Sequence, residues 1–235
     1  DATPDPAPTR RLLTLSGPGI VLVPLTATFA YVDWVLSLER EWYSTVFAAV
    51  LLAGQVLVAY AFVILLLKLL HREEPLAGVV SNLHFHQLGN LMFAFVLFWT
   101  YVAFGQLLII YSGNLPHEIS WYLHRIAGSW KVVVGAIALF HFFLPFLLLL
   151  FRTVKRRTTY LAAVALMVFG MHVVYAYWLI LPSLHQTGPK VSWLDFVAPL
   201  AIGGLWLAMF LWRLKAVPLL PANDPRLKEE LVHAQ

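Results

Sequence analysis

Six stretches of this chain contain no Asp, Glu, Lys or Arg: Leu12 to Val32, Trp42 to Leu67, Pro75 to Pro116, Val132 to Phe151, Thr158 to Pro189 and Phe196 to Trp212. A hydrocarbon layer about 30 Å thick is crossed by roughly 20 apolar helical residues rising about 1.5 Å each. Six such helices take up about half of the 235 residues and leave little beyond loops and tails. The composition agrees, with 60% hydrophobic and 12% charged residues, where a soluble domain has about half and about a quarter. The pattern predicts an all-α integral membrane protein.

The spans are expected at about Gly17 to Ser37, Tyr43 to Leu67, Leu88 to Ser112, Ala127 to Phe151, Thr159 to Leu181 and Trp193 to Trp212. Short connections and alternating direction favour an up-and-down bundle. Of sixteen Lys and Arg, twelve fall on one side, including Arg10, Arg11, Lys68, Arg72, Arg152, Lys155, Arg156, Arg157, Arg213 and Lys215, while Arg40, Arg125, Lys131 and Lys190 fall on the other. By the positive-inside rule both termini are expected in the cytoplasm. The expected organisation is a polar leader over 1–12, a six-helix transmembrane domain over 13–215 and a cytoplasmic tail over 216–235. With Asp1 at its start and no initiator Met, the chain reads as a fragment or one half of a longer subunit. The formal charge of +4 resides in the short loops, so it reads as a topology signal and not as a nucleic-acid surface.

The absence of cysteine excludes disulfides, thiolate zinc sites, Cys-ligated iron–sulfur clusters and covalent c-type haem within this chain. Redox centres would need histidine ligands or partner subunits. Ionisable groups inside a bilayer cost of order 3 kcal/mol near its centre, so each is a functional candidate. His141 and His172 fall near the middle of the fourth and fifth spans, at matched depth. Three readings stay open for them: haem ligation, a proton relay, or imidazoles hydrogen-bonded within the bundle. Pro145 lacks the N–H that would bond the His141 carbonyl, so a kink with a free acceptor is expected there. Candidate stations of a proton route are Asp33 at the outer side, His141 and His172 near the midplane, Tyr175 one turn beyond His172, and His86 at the inner side. His84 and His86 make a weak metal pair without an evident third ligand. The outer connections hold Glu39, Glu41, Glu118, His117, His124, His185 and Asp195 among aromatics suited to an interface, and Glu118 to Arg125 is expected as a short helix lying in it.

The run Leu83-His84-Phe85-His86-Gln87-Leu88-Gly89-Asn90-Leu91-Met92-Phe93-Ala94-Phe95, then Phe98-Trp99-Thr100-Tyr101, Gly105-Gln106, and Ser112-Gly113-Asn114-Leu115-Pro116-His117-Glu118-Ile119-Ser120-Trp121-Tyr122-Leu123-His124-Arg125, carries a resemblance. So do Ser16-Gly17-Pro18-Gly19, Asp33 to Leu38, Trp42 to Thr45, Gly128 to Lys131, and His141 to Pro145 with the basic loop Arg152 to Arg157. From about Ser16 to Leu181 the chain resembles the second polysulfide-reductase-like (NrfD-related) membrane subunit of alternative complex III, the bacterial quinol:cytochrome c oxidoreductase. Members of that family commonly carry an acid after the histidine of the pre-helix motif, where this chain has the non-titrating Gln87. They have about ten spans, and the six here resemble the C-terminal portion.

The resemblance implies a complex in the bacterial inner membrane whose iron–sulfur clusters and c-type haems sit on partner subunits, beside a sister membrane subunit holding the better-supported quinol pocket. It implies no haem and no cluster in this subunit. The expected function is that of a non-catalytic membrane subunit of a respiratory quinol oxidoreductase, scaffolding the complex, contacting quinone and conducting protons, with the quinone-binding residues unassigned. The rivals are a haem-b anchor using His141 and His172, and a secondary transporter or channel, for which neither repeated halves nor discontinuous helices are evident.

Overall fold

A computed structural model describes residues 7–39, 42–77, 79–185, 188–190 and 192–220. The expected cytoplasmic tail from Pro221 onward and Glu41 lie outside the described residues. Among those described, the ordered elements are all helical: α1 (Ala7–Trp34), a 3-10 turn (Leu36–Leu38), α2 (Phe47–Leu70), α3 (Asn82–Gly113), α4 (Pro116–Ile126), α5 (Trp130–Ile137), a π turn (Ala138–Phe143), α6 (Leu144–Leu150), α7 (Arg152–Arg156), α8 (Thr158–Leu184) and α9 (Leu194–Ala216). Among the described residues six rods are long and apolar enough to cross a membrane, with α5, the π turn and α6 forming one of them as Trp130–Leu150. The protein is thus an all-α, multi-pass membrane protein.

The chain divides into two units. One comprises residues 1–21, 71–80 and 190–235 and contains α9, which buries none of its residues. The other comprises Leu22–Leu70 and Ser81–Pro189 and holds the core. In it α2 packs on α3 and α8, and the α5–α6 rod also packs on α3 and α8, closing a ring of four spans. The buried positions explain this arrangement. Phe85, Gly89, Met92, Val96, Trp99, Gln106 and Ile110 form one stripe on α3 at steps of three, four and seven, as Leu161, Val164, Val168, Tyr175, Leu179 and Pro182 do on α8. On α2 the stripe includes Ala53, Gly54 and Ala61, small residues that let neighbouring backbones approach where hydrophobic expulsion from water supplies no driving force.

Two boundaries differ from the sequence expectation. Helix α3 begins at Asn82, six residues before the expected Leu88, so the histidine-containing motif lies on its first turns. The reason is a cap: the Ser81 backbone N–H donates to His84 Nδ1 at 3.1 Å, and the Leu83 N–H donates to Ser81 Oγ at 3.3 Å. His84 is thereby used as a capping group, and no cluster of three or more metal-ligating side chains occurs among the described residues. The leader also turns helical by Ala7, before the expected domain edge at residue 13.

The expected short helix is α4. Asn114 at φ 45° ends α3 in the left-handed conformation, and Pro116 opens α4 at its first turn, where a missing N–H costs nothing. Near Pro145 the span widens into the π turn, so the break expected from the missing N–H is absorbed over six residues, with His141 inside them.

Candidate functional site

His141 is fully buried at the centre of the α2, α3, α5–α6 and α8 ring. Its ring centroid lies 4.4 Å from Trp99 of α3, edge-on, and 5.5 Å from His172 of α8. Tyr175 stands 6.1 Å from His141, 5.7 Å from His172 and 5.2 Å from Trp99. The equal depth expected for the two histidines therefore brings them into one cluster, together with the expected Tyr175 and with Trp99, which was seen only as part of a motif. Both His141 ring nitrogens and His172 Nδ1 have no hydrogen-bond partner among the described residues. Such groups are costly to bury unless a ligand, a water or a transferred proton uses them.

Gly54 of α2 makes the cluster sterically achievable. A Cβ there would stand 2.7 Å from His172 Cε1 and 3.4 Å from the Trp99 indole, so only glycine leaves room. This position was not singled out in the sequence; its one signal is that it is the single glycine of α2, beside Ala53.

Of the contacts the pair makes, the structure shows ring packing: the His141 and His172 centroids are 5.5 Å apart, and Trp99 packs edge-on against His141 at 4.4 Å.

A second assembly, missed in the sequence, lies at the end of α8 toward α4. Arg125 is 1% exposed. Its Nη1 donates to Glu39 Oε1 at 3.0 Å and to the Trp121 carbonyl at 3.2 Å, and its Nη2 donates to the Leu179 carbonyl at 2.8 Å and to Ser183 Oγ at 3.0 Å. Ser183 in turn donates to Glu39 Oε1 at 2.8 Å. The guanidinium lies 3.8 Å over the Trp121 ring, which stacks on Trp42 at 4.5 Å. Burial pulls the Arg125 pKa below its ordinary value, while the hydrogen bond and charge of Glu39 oppose that. An arginine keeps its proton under such a shift, so the site is a buried ion pair. Nearby Tyr122 is pushed up to about 12, chiefly by burial, against opposing effects of a Gln106 hydrogen bond and the Arg125 charge.

Helix α8 joins the two assemblies. Tyr175 contacts Trp178 at 5.9 Å, and Trp178 Nε1 donates to the Arg125 carbonyl at 3.0 Å. Between them opens a cavity of about 810 Å³, walled by Trp99, Gln106, Trp121, Tyr122, Tyr175 and Trp178 among mostly apolar neighbours. Gln106 Oε1 is buried and without a partner among the described residues. The space suits a flat apolar ring with an oxygen substituent.

The remaining expected stations stand apart. Asp33 is exposed on α1, where its carbonyl accepts a hydrogen bond from Ser37 Oγ at 2.6 Å. His86 lies thirteen residues before Trp99 on α3, about 20 Å along the axis at about 1.5 Å per residue. Its Nδ1 is buried without a partner among the described residues. A scan of protein-family models matches nothing to this chain, and a search of curated proteins likewise finds no match.

Proposed function

We propose that this chain is a non-catalytic membrane subunit of a bacterial respiratory quinol:cytochrome c (or equivalent acceptor) oxidoreductase, in which it scaffolds the complex, contacts quinone and carries protons. The observation that carries the reading is the buried His141, His172, Tyr175 and Trp99 cluster at the edge of an aromatic cavity. Oxidation of a quinol releases two protons and two electrons. The chain has no cysteine with which to hold a cluster or attach haem c, so the electrons pass to iron–sulfur clusters and haems on partner subunits. The protons need groups that can take and release them inside the membrane. The imidazole of His141 accepts a proton at one nitrogen and releases it from the other, with His172 beside it and Tyr175 as the hydroxyl toward α4.

The sequence resemblance to alternative complex III, spread over motifs from Ser16 to Leu181, supports the choice of complex. In this reading Glu39 and Arg125 take the outer place expected for Asp33, because both bond to residues of α8.

The test is a joint His141→Gln and His172→Gln substitution in the native membrane. Proton translocation coupled to quinol oxidation is expected to fall at least tenfold while the helices still assemble. Unchanged translocation and unchanged assembly would end the relay reading. Co-purification with multihaem and iron–sulfur subunits is expected; isolation as a lone stable protein would count for a transporter or channel.

A further inference from the structure

On the side opposite α4, the five-residue helix α7 turns between the α5–α6 rod and α8 and packs on α3. Three cations gather there. The stem of Lys155 lies against Gly89, where a Cβ would stand 3.1 Å from its Cγ and 3.3 Å from its Cβ, and its ammonium sits 5.5 Å over the Phe93 ring. Arg152 and Arg156 flank it and are exposed. The charges of all three reach His86, which shares the face of α3 with Gly89 and Phe93 at steps of three and four. None of the three forms an ion pair among the described residues, and the buried His86 Nδ1 has no partner there.

An ordinary basic loop on the cytoplasmic side has mobile, solvated side chains. Here Lys155 is held by packing on both its stem and its head, so the positive charge is fixed in place. The apolar surface that adjoins it is also open: Leu147, Leu150 and Phe151, directly before Arg152, are each at least half exposed. One fixed cation flanked by two exposed arginines at the end of a span, next to exposed apolar surface, matches a molecule with an anionic head and acyl chains.

We infer that the meeting of α7 with α3 binds the phosphodiester headgroup of an anionic membrane phospholipid through Arg152, Lys155 and Arg156, with His86 Nδ1 as an additional polar contact and the acyl chains along Leu147, Leu150 and Phe151. The two arginines supply paired N–H donors to phosphate oxygens, and the lysine a fixed point charge. This site is separate from the His141 cluster and does not depend on the proposed respiratory role.

The test uses the full chain in nanodiscs of phosphatidylcholine doped with phosphatidylglycerol or cardiolipin, with native mass spectrometry counting the lipids retained. Anionic lipid is expected to be retained over phosphatidylcholine. The Arg152→Gln, Lys155→Gln, Arg156→Gln triple variant is expected to lose that preference by roughly tenfold or more, given about 1 kcal/mol per basic residue near a membrane surface. Arg157→Gln, which alters a cation lying 5.7 Å over Tyr160 instead, is expected to keep it. If the triple variant fails to fold, Arg152→Gln and Arg156→Gln singly are each expected to weaken retention several-fold, since both side chains are exposed. Equal retention of phosphatidylcholine, or the same loss in Arg157→Gln, overturns the inference. Inorganic phosphate binding to the chain in pure phosphatidylcholine discs, with the same residue dependence, would identify a free-phosphate site instead.

Discussion

Glu39 and Arg125 are bonded to each other but unequally placed, and this sets what each substitution costs. The Arg125 side chain is 2% exposed and that of Glu39 is 20%. Removing the carboxylate strands a buried cation, whereas removing the guanidinium leaves an acid that still reaches water. Glu39→Ala is therefore expected to destabilise the protein by about 3 kcal/mol, and Arg125→Met by less, both read from thermal unfolding in detergent. Tyr122 provides a pH-dependent counterpart. Its folded pKa of about 12 lies above the unfolded value near 10, so its contribution is complete below pH 10 and is lost as pH rises through 10 to 12. The difference in stability between wild type and Tyr122→Phe across that window is expected to be of order 2–3 kcal/mol. A flat difference curve would show that Tyr122 is solvated. These residues were poorly legible in the sequence because their partners lie 86 and 58 positions away. An arginine at the end of an interfacial segment gives no local sign of burial.

At the scale of the element, α2 depends on a missing side chain. Gly54→Leu is expected to force His172 from its place against Trp99 and to separate α2 from α8, at a cost of about 1–3 kcal/mol for overpacking. The proposed proton transfer should fall with it, while Gly105→Leu, where a Cβ meets nothing within 4 Å, is expected to be neutral. The spans themselves were readable to within a few residues at most ends, because charge-free length is a property of the chain alone. Matched depth for His141 and His172 could be counted in the same way. The early start of α3 could not, because Ser81 and His84 form a cap without the usual acidic or amide residue at its third position. Nor does the sequence distinguish a kink at Pro145 from a π turn that absorbs it; the surrounding packing decides between them.

For the whole molecule, the absence of native cysteine makes single-cysteine labelling clean. His117→Cys on α4 and Arg156→Cys on α7 are expected to react with a membrane-impermeant maleimide from opposite faces of oriented vesicles, with His117→Cys on the outer face. Labelling of both from one face would overturn the alternation inferred from the basic loops. Composition and hydropathy made the membrane class plain.

One feature of α8 bears on the whole assembly. His172, Tyr175, Leu179 and Ser183 recur at steps of three and four along one face, so the midplane cluster and the Arg125 ion pair are attached to a single rod. From His172 to Ser183 is eleven residues, about 16 Å at about 1.5 Å each. Both ends belong to the one helix Thr158–Leu184, whose internal proline, Pro182, directly precedes Ser183. Because Ser183 and His172 share this helix, a change that loosens Ser183 from Arg125 is expected to alter how His172 meets Gly54, and the ion pair and the buried imidazoles to respond together.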